Sequence, residues 1–85
     1  MDYEKQTRLM AEEFKEIYHD QVVVKYVDVD KQGLEDYPIM DRVLRMGYSY
    51  PITLINGQPR FAGALMKVEI KEAVDGILKD SQALN

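Results

Sequence analysis

The chain has 85 residues, of which 46% are hydrophobic and 31% are charged, and its formal net charge is −4. This length predicts a single domain over residues 1–85, and the composition predicts a folded chain. The negative charge argues against a nucleic-acid partner, because phosphate binding needs a basic face. No apolar run reaches the ~18 residues of a membrane span, and the first residues lack the form of a signal peptide, so we expect a cytoplasmic protein without a membrane partner.

Cysteine is absent from the sequence. This absence removes thiol nucleophiles, disulfides and thiolate metal sites from the chemistry that the chain can perform on its own. We therefore expect no catalytic residue for thiol exchange, no metal site and no cofactor.

The first predicted element is a helix that begins after Asp2, its N-cap, and runs to about Tyr18. A spacing of three and four residues predicts that its apolar side turns inward. The residues on this side are Tyr3, Thr7, Leu9, Met10, Phe14, Ile17 and Tyr18. Residues 21–29 then predict a strand, because VVVKYVDV is crowded with β-branched residues and only Lys25 interrupts it. Such a run indicates burial on both faces of a sheet.

A turn over residues 30–33 precedes a second predicted helix over about residues 34–46. Pro38 lies in its first turn and Gly47 suits its C-terminal cap. The inward residues of this helix are predicted to be Ile39, Met40, Val43 and Leu44.

A β-hairpin is predicted next. Residues 52–55 form a short apolar run, and Asn56-Gly57 is the strongest short signal for a two-residue hairpin turn. Residues 58–62 would return, and Pro59 cannot donate to a ladder, so this strand should lie at a sheet edge or be irregular at its start.

A last helix is predicted over about residues 66–79, followed by a frayed tail over residues 81–85. Its inward residues are predicted to be Ile70, Ala73, Val74, Ile77 and Leu78. The predicted order is therefore α-β-α-β-β-α, an α/β fold with helices on the faces of a mixed sheet.

The hairpin and the segment after it resemble a known family. The run YPITLING, residues 50–57, is similar to the proline-to-hairpin segment of glutaredoxins. The run FAGALMKVEIKEAVDGIL, residues 61–78, is similar to the glycine-kinked strand and last helix of thioredoxins. The chain thus resembles the thioredoxin-like superfamily of disulfide oxidoreductases, with a shorter hairpin than thioredoxins and without the paired glycines of glutaredoxins. The resemblance implies a cis bond between Tyr50 and Pro51.

Two parts of the family pattern are missing from this sequence: a strand before the first helix and a Cys-x-x-Cys motif. The resemblance implies that the motif would fall at Met1, Asp2, Tyr3 and Glu4, which carry no thiol. The absent strand would lie between the predicted strand of residues 22–29 and the strand of residues 52–55. Two rows of unpaired backbone groups would then face each other across a gap.

Three arrangements would repair such a gap. The two strands close up, a neighbouring chain inserts a segment, or residues upstream of Met1 fill the slot. Closing up would expose an apolar strip near Leu9, Val23 and Ile52, so we expect self-association into a homodimer.

Two functions follow from the resemblance. The first is a binding module without catalysis, in which Ser49, Tyr50, Pro51 and Ile52 hold an extended peptide or protein segment. The second is a truncated or late-start form of a thiol-disulfide oxidoreductase whose Cys-x-x-Cys lies upstream of Met1.

Other candidate sites have simpler interpretations. Asp28, Asp30, Gln32 and Gly33 imitate the opening of a calcium loop, but the twelfth position is Ile39 where a glutamate is needed. His19 is the only histidine and is expected near a helix C-terminus. The acidic group on the first helix is expected on its solvated face, and it consists of Glu12, Glu13 and Glu16. Two interpretations stay open for Tyr37, Tyr48 and Tyr50, which either face a ligand or pack the second helix against the sheet.

Overall fold

The structure is a computed structural model that describes the backbone of residues 2–83 and the side chains of residues 2–80. Residues 2–83 form a small α/β fold with four α-helices and a two-stranded antiparallel sheet. In chain order the elements are α1 (Tyr3–Tyr18), a 3-10 turn (His19–Gln21), α2 (Val29–Gln32), α3 (Ile39–Arg45), β1 (Ile52–Ile55), β2 (Gln58–Ala62) and α4 (Lys67–Ala83). Among the described residues, no helix is both long and apolar enough to cross a membrane.

The first helix confirms its predicted bounds. The Asp2 carboxylate accepts a hydrogen bond from the Lys5 backbone N–H at 3.0 Å, as an N-cap residue does. His19 occupies the C-terminal cap with a φ of 54°, and its N–H donates to the Lys15 carbonyl. Leu9 and Ile17 were predicted inward and are exposed. Each lies one residue, about 100° of rotation, before the buried positions Met10 and Tyr18, and therefore off the stripe that packs.

The hydrophobic core joins α1 to α4. Met10, Phe14 and Tyr18 pack against Ile70 and Val74, and Phe14 is only 1% exposed. The Phe14 and Tyr18 rings meet edge to face, with their centroids 5.4 Å apart. Such an aromatic pair adds to the stabilisation that burial alone provides.

A polar group closes one end of this core. The Tyr18 hydroxyl donates to the Asp75 carboxylate, and the Lys71 Nζ lies 3.0 Å from the second oxygen of the same carboxylate. The hydrogen bonds from Tyr18 and Lys71 hold the pKa of Asp75 below its ordinary value. Burial and the bond to Asp75 raise the pKa of Tyr18, and the bond to Asp75 also raises the pKa of Lys71.

The predicted strand over residues 21–29 is wrong, because no strand pairs with this segment in the described residues. The backbone is extended at Val22 and Asp28, and Val22 and Val24 pack against the core. Val23, between them, is 86% exposed, so the segment is covered on one face only. High β-propensity reflects a fit to a pleated surface and does not supply a neighbouring strand. The predicted α-β-α-β-β-α order and the predicted mixed sheet are therefore not found. The described residues contain one antiparallel hairpin and helices.

The second predicted helix begins later than expected. A short helix, α2, occupies Val29–Gln32, and α3 begins only at Ile39 with Pro38 as its N-cap. The reason is Pro38, because proline disfavours the helical conformation in the residue before it. Met40 and Val43 are buried, whereas the other two predicted inward residues, Ile39 and Leu44, are half-buried.

The hairpin confirms its prediction. Asn56 and Gly57 both have positive φ, 53° and 78°, as a two-residue turn of this kind requires. Thr53 is opposite Phe61 and Leu54 is opposite Pro59, so Arg60 is an extra residue that forms a β-bulge. The irregularity thus follows Pro59 directly, at the start of an edge strand.

The last helix is longer than predicted. α4 runs over Lys67–Ala83, so the expected frayed tail is helical through residue 83, and residues 84 and 85 lie outside the described residues. No proline or terminal glycine stops the helix, and each added residue gains one backbone hydrogen bond. Of the predicted inward residues, Ile70 and Val74 are buried and the others are half-buried.

Candidate functional site

A groove with a volume of about 1100 Å³ lies beside the hairpin, and we call it the central groove. One long side is formed by residues 21–30, from the end of the 3-10 turn to the beginning of α2. The other is formed by residues 50–57, which comprise the end of the proline loop (residues 49–51), β1 and the hairpin turn. One wall comes from the core side chains of α1 and α4, including Phe14 and Ile70, and the other comes from Ile39 and Met40 around the start of α3. Small-molecule pockets span roughly 300–1,000 Å³, so the groove has room for a larger occupant.

Both long sides of the central groove have unpaired backbone. β1 pairs with β2 along one edge, and no strand of residues 2–83 pairs with its other edge. Across the groove, no backbone hydrogen bond joins residues 23–27 to another part of the described chain. Free N–H and C=O groups on extended backbone can bond an added strand.

The lining is apolar with a set of tyrosines. Four tyrosine side chains contribute to it, namely Tyr3, Tyr26, Tyr37 and Tyr50. Tyrosine offers a large apolar surface and a polar tip, and it is enriched where proteins bind one another.

Of the four predicted binding residues, three line the central groove and one does not. Tyr50, Pro51 and Ile52 are part of the lining, with Tyr50 about half-exposed. Ser49 is exposed and lies outside the lining. The proline loop therefore lines the groove with its last two residues, Tyr50 and Pro51, and β1 lines it with its first residue, Ile52.

The proline loop is held by Gly63. The Tyr50–Pro51 bond is cis, which confirms the expectation. The Gly63 N–H donates to the Ser49 carbonyl at 2.9 Å and to the Pro51 carbonyl at 3.0 Å. Gly63 adopts a φ of +90°, a conformation that a side chain disfavours, so glycine suits this position.

The positions predicted for the absent redox motif lie at the beginning of α1. Met1 is outside the described residues. Asp2 caps the helix, Tyr3 lines the central groove, and Glu4 lies 3.8 Å from the Arg8 guanidinium. None of these three side chains carries a thiol, and of the three Tyr3 lines the groove.

The charged residues near Tyr26 are mostly acidic. Partial burial and four neighbouring carboxylates raise the pKa of this tyrosine. The carboxylates come from the beginnings of two helices and are Asp28, Glu4, Asp2 and Asp30. Asp28, Asp30 and Asp36 also line the groove, against a single cation, Lys25. Lys25 and Tyr26 both contribute to the lining, so the cation lies in the same groove as the acidic residues.

The remaining candidates take structural roles. The Asp28 carboxylate caps α2 by accepting from the Asp30 N–H at 3.1 Å. No group of three potential metal ligands occurs within the part of the chain that the structure describes. Glu13 pairs with Lys67 at 2.9 Å and thereby links α1 to α4. Tyr48 is exposed and outside the groove lining, whereas Tyr37 joins Tyr50 within it.

Sequence reasoning missed Tyr26 and the acidic group around it. Tyr26 was assigned to a buried strand, and the signal that could have singled it out is the acidic flank of Asp28 and Asp30 directly after it. Comparison with family models, with curated proteins and with solved structures gives no match.

Proposed function

We propose that this chain is a thioredoxin-like binding module that holds an extended polypeptide segment along the proline loop, without thiol chemistry of its own. The observation that carries the proposal is the central groove, whose lining includes Tyr50, Pro51 and Ile52. The thioredoxin-like assignment is supported by the resemblance of residues 50–57 and 61–78.

Tyr50, Pro51 and Ile52 have different roles in the proposed binding. Tyr50 presents a half-exposed ring at the rim, and such rings supply much of the binding energy at protein interfaces. Ile52 and Pro51 add apolar surface that is only half-buried in the free chain. The bonds from the Gly63 N–H keep the loop in one orientation, which lowers the entropy lost on binding.

A pair of matched variants tests the proposal. The probe is a synthetic peptide of about nine residues with alternating valine and threonine, which favours an extended form. Tyr50→Ala is expected to weaken its binding roughly tenfold, as truncation of an interface tyrosine typically costs above ~1 kcal/mol. Tyr48→Ala is the control, because Tyr48 is also an exposed tyrosine but lies outside the groove.

Isothermal titration calorimetry measures both affinities. An equal loss in the two variants, or no binding to the unaltered chain, would contradict the proposal. An alanine-rich peptide of about 20 residues, long enough to be helical, is expected not to bind, because its backbone groups are already paired within the helix.

The second candidate is the oxidoreductase that takes a strand and a Cys-x-x-Cys from residues encoded upstream of Met1. The observation that favours it is Tyr3, which lines the central groove at the beginning of α1, so that a strand in the groove would lead into that helix. The nucleotide sequence upstream of the Met1 codon tests this candidate. An in-frame β-rich segment that ends in Cys-x-x-Cys supports it, and a stop codon or unrelated sequence there contradicts it.

A further inference from the structure

We propose that the central groove takes its partner segment as an added β-strand, apolar along its middle and carrying lysine or arginine at the end beside Tyr26. This inference rests on the proposed function and names the chemistry of the partner. The occupant is a segment of another polypeptide with that pattern.

The first argument is the backbone on the two long sides of the groove. The free edge of β1 and residues 23–27 both lack backbone partners among the described residues. Val22 and Asp28, at the two ends of this second side, have extended dihedral angles. A segment between them would pair on both sides, and main-chain hydrogen bonds of this kind give added strands their affinity.

The second argument is that helices lie on two sides of the groove. Met10 and Phe14 of α1 line one wall, and Ile39 and Met40 of α3 line the other. The core cluster that contains Met10 and Phe14 does not include Met40, so the two walls belong to separate packing groups. A strand between two apolar walls is buried on both faces, and such strands are apolar without alternation.

The third argument is charge complementarity at one end. Four carboxylates surround Tyr26, and of these Asp28 and Asp30 line the groove itself. Of these four carboxylates, Glu4 pairs with the Arg8 guanidinium at 3.8 Å, and both side chains are largely exposed. The described lining holds three carboxylates, Asp28, Asp30 and Asp36, against one cation, Lys25, so it attracts a cationic side chain of the occupant and repels an anionic one.

The length of the occupant follows from the length of the groove side formed by residues 22–28. The side between Val22 and Asp28 has seven residues, and a strand of seven residues covers ~23 Å at about 3.3 Å per residue. The partner segment is therefore about five to seven residues long, with its cationic residue at or just beyond one end.

The experiment uses the full chain and four peptides with the same apolar core of valine, isoleucine and alanine. Two carry a pair of lysines, at the N-terminus or at the C-terminus, and the third carries a pair of glutamates in place of the better-binding lysine pair. The fourth is the better lysine peptide with alternate core nitrogens methylated, which removes backbone donors. We expect the glutamate peptide to bind roughly tenfold more weakly and the methylated peptide to lose binding, because both charge and main-chain pairing hold the segment.

Matched charge variants locate the contact. The double variant Asp28→Asn and Asp30→Asn is expected to weaken the lysine peptide by ~3- to 10-fold, in line with two partly screened charge contacts. Asparagine keeps the helix cap at residue 28. The control is Glu69→Gln with Glu72→Gln, which removes the same charge from exposed positions outside the groove lining and should leave the affinity unchanged.

Hydrogen exchange provides the readout for strand pairing. The amides of residues 23–27 and 52–55 should become protected when the lysine peptide binds. Tyr50-dependent binding with equal affinity for the lysine and glutamate peptides overturns the inference and leaves the proposed function intact. Absence of any Tyr50-dependent peptide binding overturns both. A groove filled by a second copy of the chain, which saturating lysine peptide does not displace, also overturns the inference.

Discussion

At the scale of the residue, Phe14 is the most deeply buried side chain of the described core. It is 1% exposed and lies at the contact between α1 and α4. Phe14→Ala is expected to lower the free energy of unfolding by about 3–5 kcal/mol, because it leaves a cavity in a small core. Leu9→Ala, on the exposed side of the same helix, should change it by less than ~0.5 kcal/mol. Urea titrations of both variants check this, and similar losses would contradict the described core.

Asp75 should give the stability a specific dependence on pH. Its folded pKa lies below the ordinary value of 3.8, so the unfolded chain binds this proton more tightly. The stabilisation is therefore present above about pH 3.8 and is lost as the pH falls through the folded pKa. The pKa values of Tyr18 and Lys71 are raised above 10.0 and 10.5, so their contribution is lost as the pH rises beyond those values.

Urea midpoints between about pH 2 and pH 7 measure the effect, since that interval spans the ordinary titration of a carboxylate. Asp75→Asn should be less stable than the unaltered chain at neutral pH, and the difference should shrink in acid. Asp80→Asn, an exposed position on the same helix, is the control. A difference that stays constant across this interval contradicts the role of Asp75.

At the scale of the element, one substitution should have opposite effects in the hairpin and in α4. Gly57 has a φ of +78°, so Gly57→Ala is expected to destabilise the chain by about 1 kcal/mol. Gly76 lies within α4 with open space around its Cα, and Gly76→Ala should stabilise by ~0.5–1 kcal/mol. Thermal melts of the two variants measure both signs. Destabilisation by Gly76→Ala would show that this part of α4 packs differently.

The elements that could be predicted from the sequence are those that neighbouring residues determine. The hairpin turn follows from Asn56 and Gly57 alone, and the start of α1 follows from Asp2. The strand over residues 21–29 failed because pairing depends on a neighbour elsewhere in the chain. The bond between Tyr18 and Asp75 spans 57 residues, and no local pattern indicates it. At the candidate site, residues 50–52 were found from sequence, whereas the opposite side of the groove with Tyr26 was not.

At the scale of the whole molecule, we expect a homodimer at moderate concentration. The closure of two strands from which an apolar strip was expected does not occur in the described residues. Leu9 and Val23 are nevertheless exposed at 56% and 86%, and Ile52 is only half-buried, so apolar surface is open to a second copy. Size exclusion coupled to light scattering measures the mass. Val23→Asp should shift the chain to monomer, while Val68→Asp, on an exposed part of α4, should not. A strictly monomeric unaltered chain at high concentration would contradict self-association.

The two edges of the hairpin also differ in their risk of uncontrolled polymerisation. The outer edge, β2, contains Pro59 and a bulge at Arg60, and both features interrupt the regular ladder that another chain would need. The edge of β1 contains no proline and no inserted residue, but it faces the central groove, whose walls are helices. We therefore expect further strands to add at the β1 edge and not at the β2 edge. The walls of the central groove limit the number of strands that can be added there. Loosening α3 would remove that limit and turn a binding edge into a seed for fibrils.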